Sequence, residues 1–431
     1  MTDSELPADT DVLVIGAGAN GLFTAWNLAR RGVRVTICEK GEVAAESSSR
    51  AFGWISGLLL DPSKTELSLL SLREWAGAEA ATGNTGFRTD GLCYFGSSDS
   101  EIGAYEEWRD LVAPDGYTGI EILDRSGVKK RFPNMTKEWL GGIVAHGDGC
   151  IEPKLAIPAI ADAARQAGVK IVSLCAVRGL DWQGGKINGA ITEKGKIRAQ
   201  KVVFAGNLWS RLFLGREGIN IPQLYAIMTM GSTTVAPNGP IGCGGQEDWA
   251  WRKQQDGAYS LGRLRGQSIP VTRDILSLFP KFIPMMKMEL HNIRPSFGMQ
   301  TRQDFFWPRK WSMDEPGVFE KFRIYNPPVN TTVPEKSLYL NKKNISGFSD
   351  AGIVETWSGA ITFTPDNLPI AGKIANHDAL YILTGCSYGL TWAPALGRML
   401  AEMIVGQKPC LNPAPYRLER FFDGSPIVVK A

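Results

Sequence analysis

Gly16, Gly18 and Gly21 stand at the spacing G-x-G-x-x-G inside VIGAGANGLFTAWNLA, and Glu39 follows the next apolar run. These residue types at this spacing suit the binding of a dinucleotide. Gly16 permits a tight turn, Gly18 lets the backbone approach a pyrophosphate, and Gly21 lets a helix pack close to a strand. The turn, with Ala19 and Asn20 in it, offers backbone N–H groups at the positive end of that helix. Glu39 is placed to accept hydrogen bonds from a ribose diol, and Lys40 lies beside it. An acid there disfavours a 2′-phosphate, so NADP is the poorest ligand. The motif leaves FAD and NAD open.

Arginine suits a substrate carboxylate best, because its planar guanidinium bonds both oxygens. Arg50, Arg252, Arg263 and Arg265 are candidates, with Arg294, Arg302 and Arg323 from a basic stretch. Arg263 and Arg265 fall at i and i+2 of one expected strand, hence on one face. Two cations there would hold two carboxylates. Tyr259 and Tyr388 are further candidates for substrate contact, with core packing as the plain alternative. His146, His291 and His377 have no triad-like context and read as structural or surface residues. The cysteines at 38, 93, 150, 175, 243, 386 and 410 are odd in number, widely spaced and lack a C-x-x-C pair. That argues against a disulfide scaffold or a metal site and for buried free thiols in a reducing compartment.

Elements must position these groups. Residues 12–15 form a short β-branched run, as a buried parallel strand does. A helix follows and stops near Gly32, and residues 33–38 form a second strand that ends at Glu39. Residues 62–80 read as a helix, and residues 86–96 as a hairpin strand around Asp90-Gly91. Residues 101–131 mix helix and turn. Pro153 opens a helix that Gly168 closes, and strands follow over 169–176, 179–182, 187–193 and 201–206. Further strands fall at 224–231, 249–252 and 258–263, the last two joined as a hairpin. Residues 272–290 predict an amphipathic helix interrupted by Pro280 and Pro284.

The chain has 431 residues, 44% of them hydrophobic, with 47 Lys+Arg against 44 Asp+Glu and a formal charge of +3. Such a balance excludes disorder and argues against a dedicated nucleic-acid binder. No apolar run reaches the roughly 18 residues of a spanning helix, and no secretory signal is evident, so a cytoplasmic location is the expectation. Residues 287–345 hold 10 Lys/Arg and 6 Asp/Glu, a local charge of +4, with Phe305, Phe306, Trp307 and Trp311 among them. A lid, an oligomer contact and a membrane-surface patch are the readings of this stretch. Lid or subunit contact is favoured, because no lipid anchor accompanies it.

Four blocks in order, VIGAGANGLFTAWNLA with Glu39, DGCIEPKLAIPAIADAARQAG, KVVFAGNLWS, and WSGAITFTPDNLPIAG with TGCSYGLTWAPALGRMLAEMIVG, resemble the D-amino-acid-oxidase-like superfamily. Its members are FAD-dependent amine and amino-acid oxidoreductases. The resemblance covers nearly the whole chain, and its last block favours FAD over NAD. It implies an α/β fold, with a Rossmann-type FAD-binding domain interleaved with an α+β substrate domain on an antiparallel sheet. The expected FAD domain takes residues 1–60, 147–215 and 346–410. The substrate domain takes 61–146 and 216–345, and 411–431 form a tail.

Carried over by position, Ser48, Ser49 and Arg50 lie where the family's loop passes the cofactor. Val177 falls at the adenine, and Gly206 and Trp209 near the pyrophosphate and ring. Gly385, Ser387, Tyr388, Gly389, Leu390 and Thr391 fall along the isoalloxazine, where a helix N-terminus favours anionic reduced flavin. Gly359 replaces the cysteine that tethers FAD in some members, so non-covalent FAD is implied. Ile361 replaces the arginine that clamps α-amino acids in others. Thr391 and Ser260 stand where sarcosine-type oxidases carry lysines.

The implied activity is oxidation of an amine or amino-acid C–N bond, with O2 or an electron carrier as final acceptor and an oxidase favoured. The expected substrate is a carboxylate-bearing secondary amine such as iminodiacetate. A polyamine conjugate or D-amino acid is the alternative, and a non-catalytic FAD-binding module the alternative of another class.

Overall fold

The computed structural model describes residues 5–289 and 293–429. Its first sheet runs in the order Ile370–Lys373, Leu380–Thr384, Gly195–Phe204, Asp9–Ile15, Val35–Cys38, Lys170–Val172. All neighbours in this path are parallel except the first pair. Val177–Gln183 and Lys186–Thr192 extend the sheet as an antiparallel meander. Val12, Leu13, Val14 and Ile15 are all buried, because both faces of this strand are covered.

One face carries the helices Ala19–Ala29, Thr65–Thr82, Pro153–Gln166 and Gly389–Ile404. Gly21 sits where helix meets strand, and a Cβ there would lie 2.0 Å from the carbonyl oxygen of Gly16. Trp75 is fully buried, meets Phe23 edge-on at 5.1 Å and donates its indole N–H to Leu390 O at 2.9 Å. The other face packs Leu13, Val202, Phe204 and Trp209 against Trp307, Phe319 and Tyr325.

The second sheet has ten strands, nearly all antiparallel. Its longest pairing joins Leu224–Thr233 to Ile353–Phe363, with Met228 opposite Gly359. Phe95, Trp249 and Trp251 stack beneath its strands, with Trp249 and Trp251 ring centroids 5.6 Å apart.

Several expectations shift. Residues 86–96 form no hairpin of their own. The single strand Leu92–Gly96 pairs with Gly141–Ala145 and Cys243–Gln246 instead. The short strand Ile120–Asp124 was hidden in a stretch read as helix and turn. The helix Arg273–Glu289 passes through Pro280 and Pro284 without interruption, with Leu278, Phe282 and Met285 forming its buried stripe.

Thr65–Thr82 packs with the first-sheet helices, Ile353–Phe363 belongs to the second sheet, and Trp307 to Tyr325 cover the first sheet. The aromatic stretch splits accordingly, with Trp307 buried and Phe306 79% exposed. All seven cysteines are free, six of them buried. No helix among the described residues is long and apolar enough to cross a membrane.

Candidate active site

The strand Asp9–Ile15 delivers the chain to Gly16, whose φ of 108° belongs to a region that side-chain-bearing residues rarely adopt. A Cβ at Gly16 would also lie 2.8 Å from the carbonyl oxygen of Ala205. Glu39, at the end of the neighbouring strand, accepts the N–H of Ala17 and that of Gly41, each at 2.8 Å. Burial pushes its carboxyl above the usual range, and the two N–H donors oppose that shift. Ser48 Oγ accepts the N–H of Ala19 at 3.0 Å, so the hydroxyl-rich segment is pinned to the helix start.

A cavity of about 710 Å³ opens over this turn and runs on to the second sheet. Gly16, Gly18, Ala19, Asn20, Glu39, Lys40, Ser48, Arg50, Val177, Gly206, Trp209, Ser387, Tyr388, Gly389, Leu390 and Thr391 all line it. Gly21, Ser49 and Gly385 do not. Gly21 serves packing, the Ser49 hydroxyl turns to Glu46 O at 3.5 Å, and Gly385 (φ 69°) makes the turn before the helix.

The candidate substrate residues divide. Arg265 lines the cavity and pairs with Glu247, which lines it as well. Arg263 is not in the lining and pairs with Asp248. The shared strand face expected for the two arginines fails because the strand Tyr259–Gly262 ends before both. Arg252 is buried away from the cavity. It donates to Phe52 O at 2.7 Å, Glu152 at 2.7 Å and Ser260 Oγ at 2.9 Å, so it ties the second sheet to the loop at Phe52 and to the start of the helix Pro153–Gln166. Tyr259 is fully buried, with its hydroxyl on Pro240 O at 2.8 Å, and is a core residue. Tyr388 and Arg50 remain in the lining. Arg323 contacts Glu193 and Lys40 outside it. Arg294 and Arg302 are not among the lining residues, and His291 lies outside the described residues. His146 pairs with Glu121 at the surface, and His377 meets the Trp182 ring.

Sequence reasoning missed the apolar wall. Leu58, Leu59, Leu60, Met228, Met230, Leu264, Ile269, Met285 and Phe363 come together from five separated stretches. It also gave no role to Asp148, the first residue of the DGCIEPKLAIPAIADAARQAG block. This fully buried carboxylate accepts bonds from Ser56 Oγ, from the N–H groups of Gly57 (3.1 Å) and Leu58 (3.2 Å), and from Tyr117 Oη (2.6 Å). It therefore shapes the Ser56 to Leu60 wall, where Leu59 is held at a φ of 57°. Burial raises its pKa to about 6 against those donors.

The residues present fit a flavin dinucleotide. Glu39 retains lone pairs beyond the two N–H groups it accepts. Asn20 Oδ1 and Ser387 Oγ are buried polar atoms at the cavity without a hydrogen-bond partner in the structure. The helix Gly389–Ile404 points its N-terminus into the cavity, with Gly389, Leu390 and Thr391 in the lining. Among the described residues no cluster of three or more His, Cys, Asp or Glu side chains is placed to hold a metal ion.

Residues 11–403 match the family model described as FAD dependent oxidoreductase. The structure of L-amino acid deaminase from Proteus myxofaciens in complex with anthranilate superposes with a TM-score of 0.93 at 32% identity, covering 97% of this chain and 95% of that one. L-amino acid deaminase from Proteus vulgaris gives 0.92 at 29% identity, covering 97% and 99%. Glycine oxidase from Pseudomonas aeruginosa is 25% identical over 94% of this chain and 97% of its own. An iminodiacetate oxidase from Chelativorans, at 17% identity and a TM-score of 0.69 over 94% of this chain and 98% of its own, shares the fold. The chain belongs to the FAD-dependent oxidoreductase family, and it is an FAD-dependent enzyme of the group that acts on C–N bonds of amino acids and amines.

Proposed function

We propose that this family member oxidises the C–N bond of an amino acid that bears one carboxylate and an apolar side chain. The observation that carries the reading is Arg265, a cation in the same cavity as Glu39 and Gly389, whose lining also includes Met228, Met230, Leu264, Ile269 and Met285. Arg265 fixes the substrate carboxylate through charge-assisted hydrogen bonds. The methionines and leucines receive the side chain and exclude water, and methionine's flexible thioether adapts to varied shapes.

Glu39 and the turn at Gly16 and Gly18 hold the adenosine diphosphate of FAD, and the helix start at Gly389 to Thr391 takes its ring end. Bound there, FAD supplies a hydride acceptor, chemistry that the protein tunes by position and charge. No histidine is in the cavity lining among the described residues, so no protein base is assigned; a neutral amine loses hydride without one. The imine product hydrolyses in water to an oxo acid and ammonia or an amine.

The related deaminases and glycine oxidase carry amino acids in their names, which supports this substrate class. The imino diacid reading loses the second cation it relied on, since Arg263 is engaged by Asp248 outside the lining. The test is anaerobic mixing of the yellow protein with amino acids, N-methyl amino acids, iminodiacetate and uncharged amines, followed at the flavin band. Bleaching by apolar amino acids supports the proposal. Bleaching by iminodiacetate or uncharged amines alone overturns it. Return of colour in air reports whether O2 is an acceptor.

A further inference from the structure

The segment from Trp307 to Asn326 covers the first sheet beside Glu39, although composition had suggested a substrate lid or subunit contact. Its attachments converge on the loop that follows Glu39. Lys40 Nζ donates to the carbonyl oxygens of Phe322 and Arg323, both at 2.8 Å, and to Glu46 at 2.7 Å. Arg323 returns a bond to Lys40 O at 2.7 Å and grips Glu193 through two bonds of 2.6 Å. Glu193 in turn accepts the N–H of Ala176, the residue before Val177 in the cavity lining.

Glu46 accepts the N–H of Tyr325 at 2.8 Å and the indole N–H of Trp209 at 3.0 Å. Arg178 and Glu320 form a largely buried ion pair at 2.6 Å. The fit at Gly41 is tight enough that a Cβ there would lie 2.5 Å from Arg323 O. Phe319 reaches the cavity itself, edge-on to Trp209 at 5.8 Å.

We infer that residues 307–326 are a cofactor strap, which locks the 39–50 loop and the Val177 strand around the adenosine end of FAD and sets its retention. The inference rests on the family's FAD and is independent of the substrate. A loop fixed in its binding shape holds a ligand more tightly than one that must be ordered on binding, and linkage makes the ligand stabilise the strap in return.

The test measures FAD dissociation constants and release rates for the full chain, for Arg323→Ala, for Glu320→Gln and for Lys154→Ala. The last breaks an exposed pair with Glu355 and is the reference. Arg323→Ala and Glu320→Gln are expected to weaken FAD binding about tenfold each and to speed its release, with Lys154→Ala unchanged. Unchanged binding in both strap variants overturns the inference. Hydrogen exchange of the unmutated chain is the second readout and needs no variant to fold. Amides in 317–326 should exchange more slowly with FAD than without it, and equal exchange overturns the inference whatever the variants do.

Discussion

Arg265 and Glu247 form an ion pair at the wall of the cavity that also holds Glu39 and the start of the helix Gly389–Ile404. The backbone sets this pairing. The N–H groups of Leu264 and Arg265 both donate to Glu247 O, at 2.9 and 3.0 Å, so a turn carries the guanidinium to the wall. On the proposed function, a substrate carboxylate competes with Glu247 for this guanidinium.

Arg265→Ala is expected to raise KM for a carboxylated substrate by roughly 10- to 100-fold, the range of a lost charge-assisted hydrogen bond. Glu247→Gln should lower KM, because the guanidinium then has no anionic neighbour to leave. Steady-state kinetics with the free acid and its amide separate the two effects. If Arg265→Ala discriminates acid from amide as well as the parent does, the clamp lies elsewhere.

Glu39→Ala removes the acceptor from two buried N–H groups, those of Ala17 and Gly41, and, on the proposed placement of FAD, from its ribose as well. Unpaired buried donors cost about 1–3 kcal/mol each, so the FAD-free chain should also lose stability. Glu39→Gln keeps one acceptor oxygen and should lose less. Flavin fluorescence titration reads the affinity and chemical denaturation reads the stability. A variant that loses neither would separate Glu39 from both roles.

The nucleotide turn was legible because its constraint is local: only glycine tolerates the φ of 108° at position 16 and the close contact at position 21. Parallel strands were legible for a similar reason, since burial on both faces forces an unbroken apolar run. The apolar wall of the cavity was not. Met228, Leu264 and Met285 carry no pattern of their own and meet only through strand pairing and a helix docked from afar. Arg252 and Arg265 look alike in sequence. Arg252, inside the strand Trp249–Lys253, is spent on Phe52 O and Glu152, while Arg265, beyond the strand end at Gly262, reaches the cavity. Trp307 and Phe306 adjoin, yet one is buried and the other exposed, so composition could not tell a strap from a sticky surface.

Asp148 gives the chain a pH dependence of definite sign. Its pKa is raised to about 6 in the folded chain, from an ordinary value of 3.8. The folded state thus holds this proton more tightly than the unfolded state. Its contribution to stability is present below pH 4 and lost as pH rises through about 6. The largest loss from this group is about 3 kcal/mol. Tyr117 donates to it, and Tyr94 is the other titratable group whose ionisation it opposes. The stability difference between the parent chain and Asp148→Asn should therefore be more favourable to the parent at pH 4 than at pH 7. Urea denaturation across that range measures it, and a difference that does not vary with pH removes the assignment.

FAD should be held without a covalent bond. The position at which the resemblance places a tethering cysteine is Gly359, where a Cβ would lie 3.2 Å from the Cβ of Arg50. Cys386 is the thiol nearest the helix start in the cavity lining, but burial raises its pKa to about 12. The thiolate is the species that attacks, and burial disfavours it here. Asn20 Nδ2 donates to its sulfur at 3.6 Å, and that weak bond is too little to offset the burial. Cys38 also lines the cavity, and its thiol is pushed up by Cys175 and by burial. Acid precipitation of the yellow protein should then leave the flavin in the supernatant and a colourless pellet. A yellow pellet that stays yellow through washing in denaturant would show a covalent link, and peptide mapping would show whether Cys386, Cys38 or Tyr388 carries it.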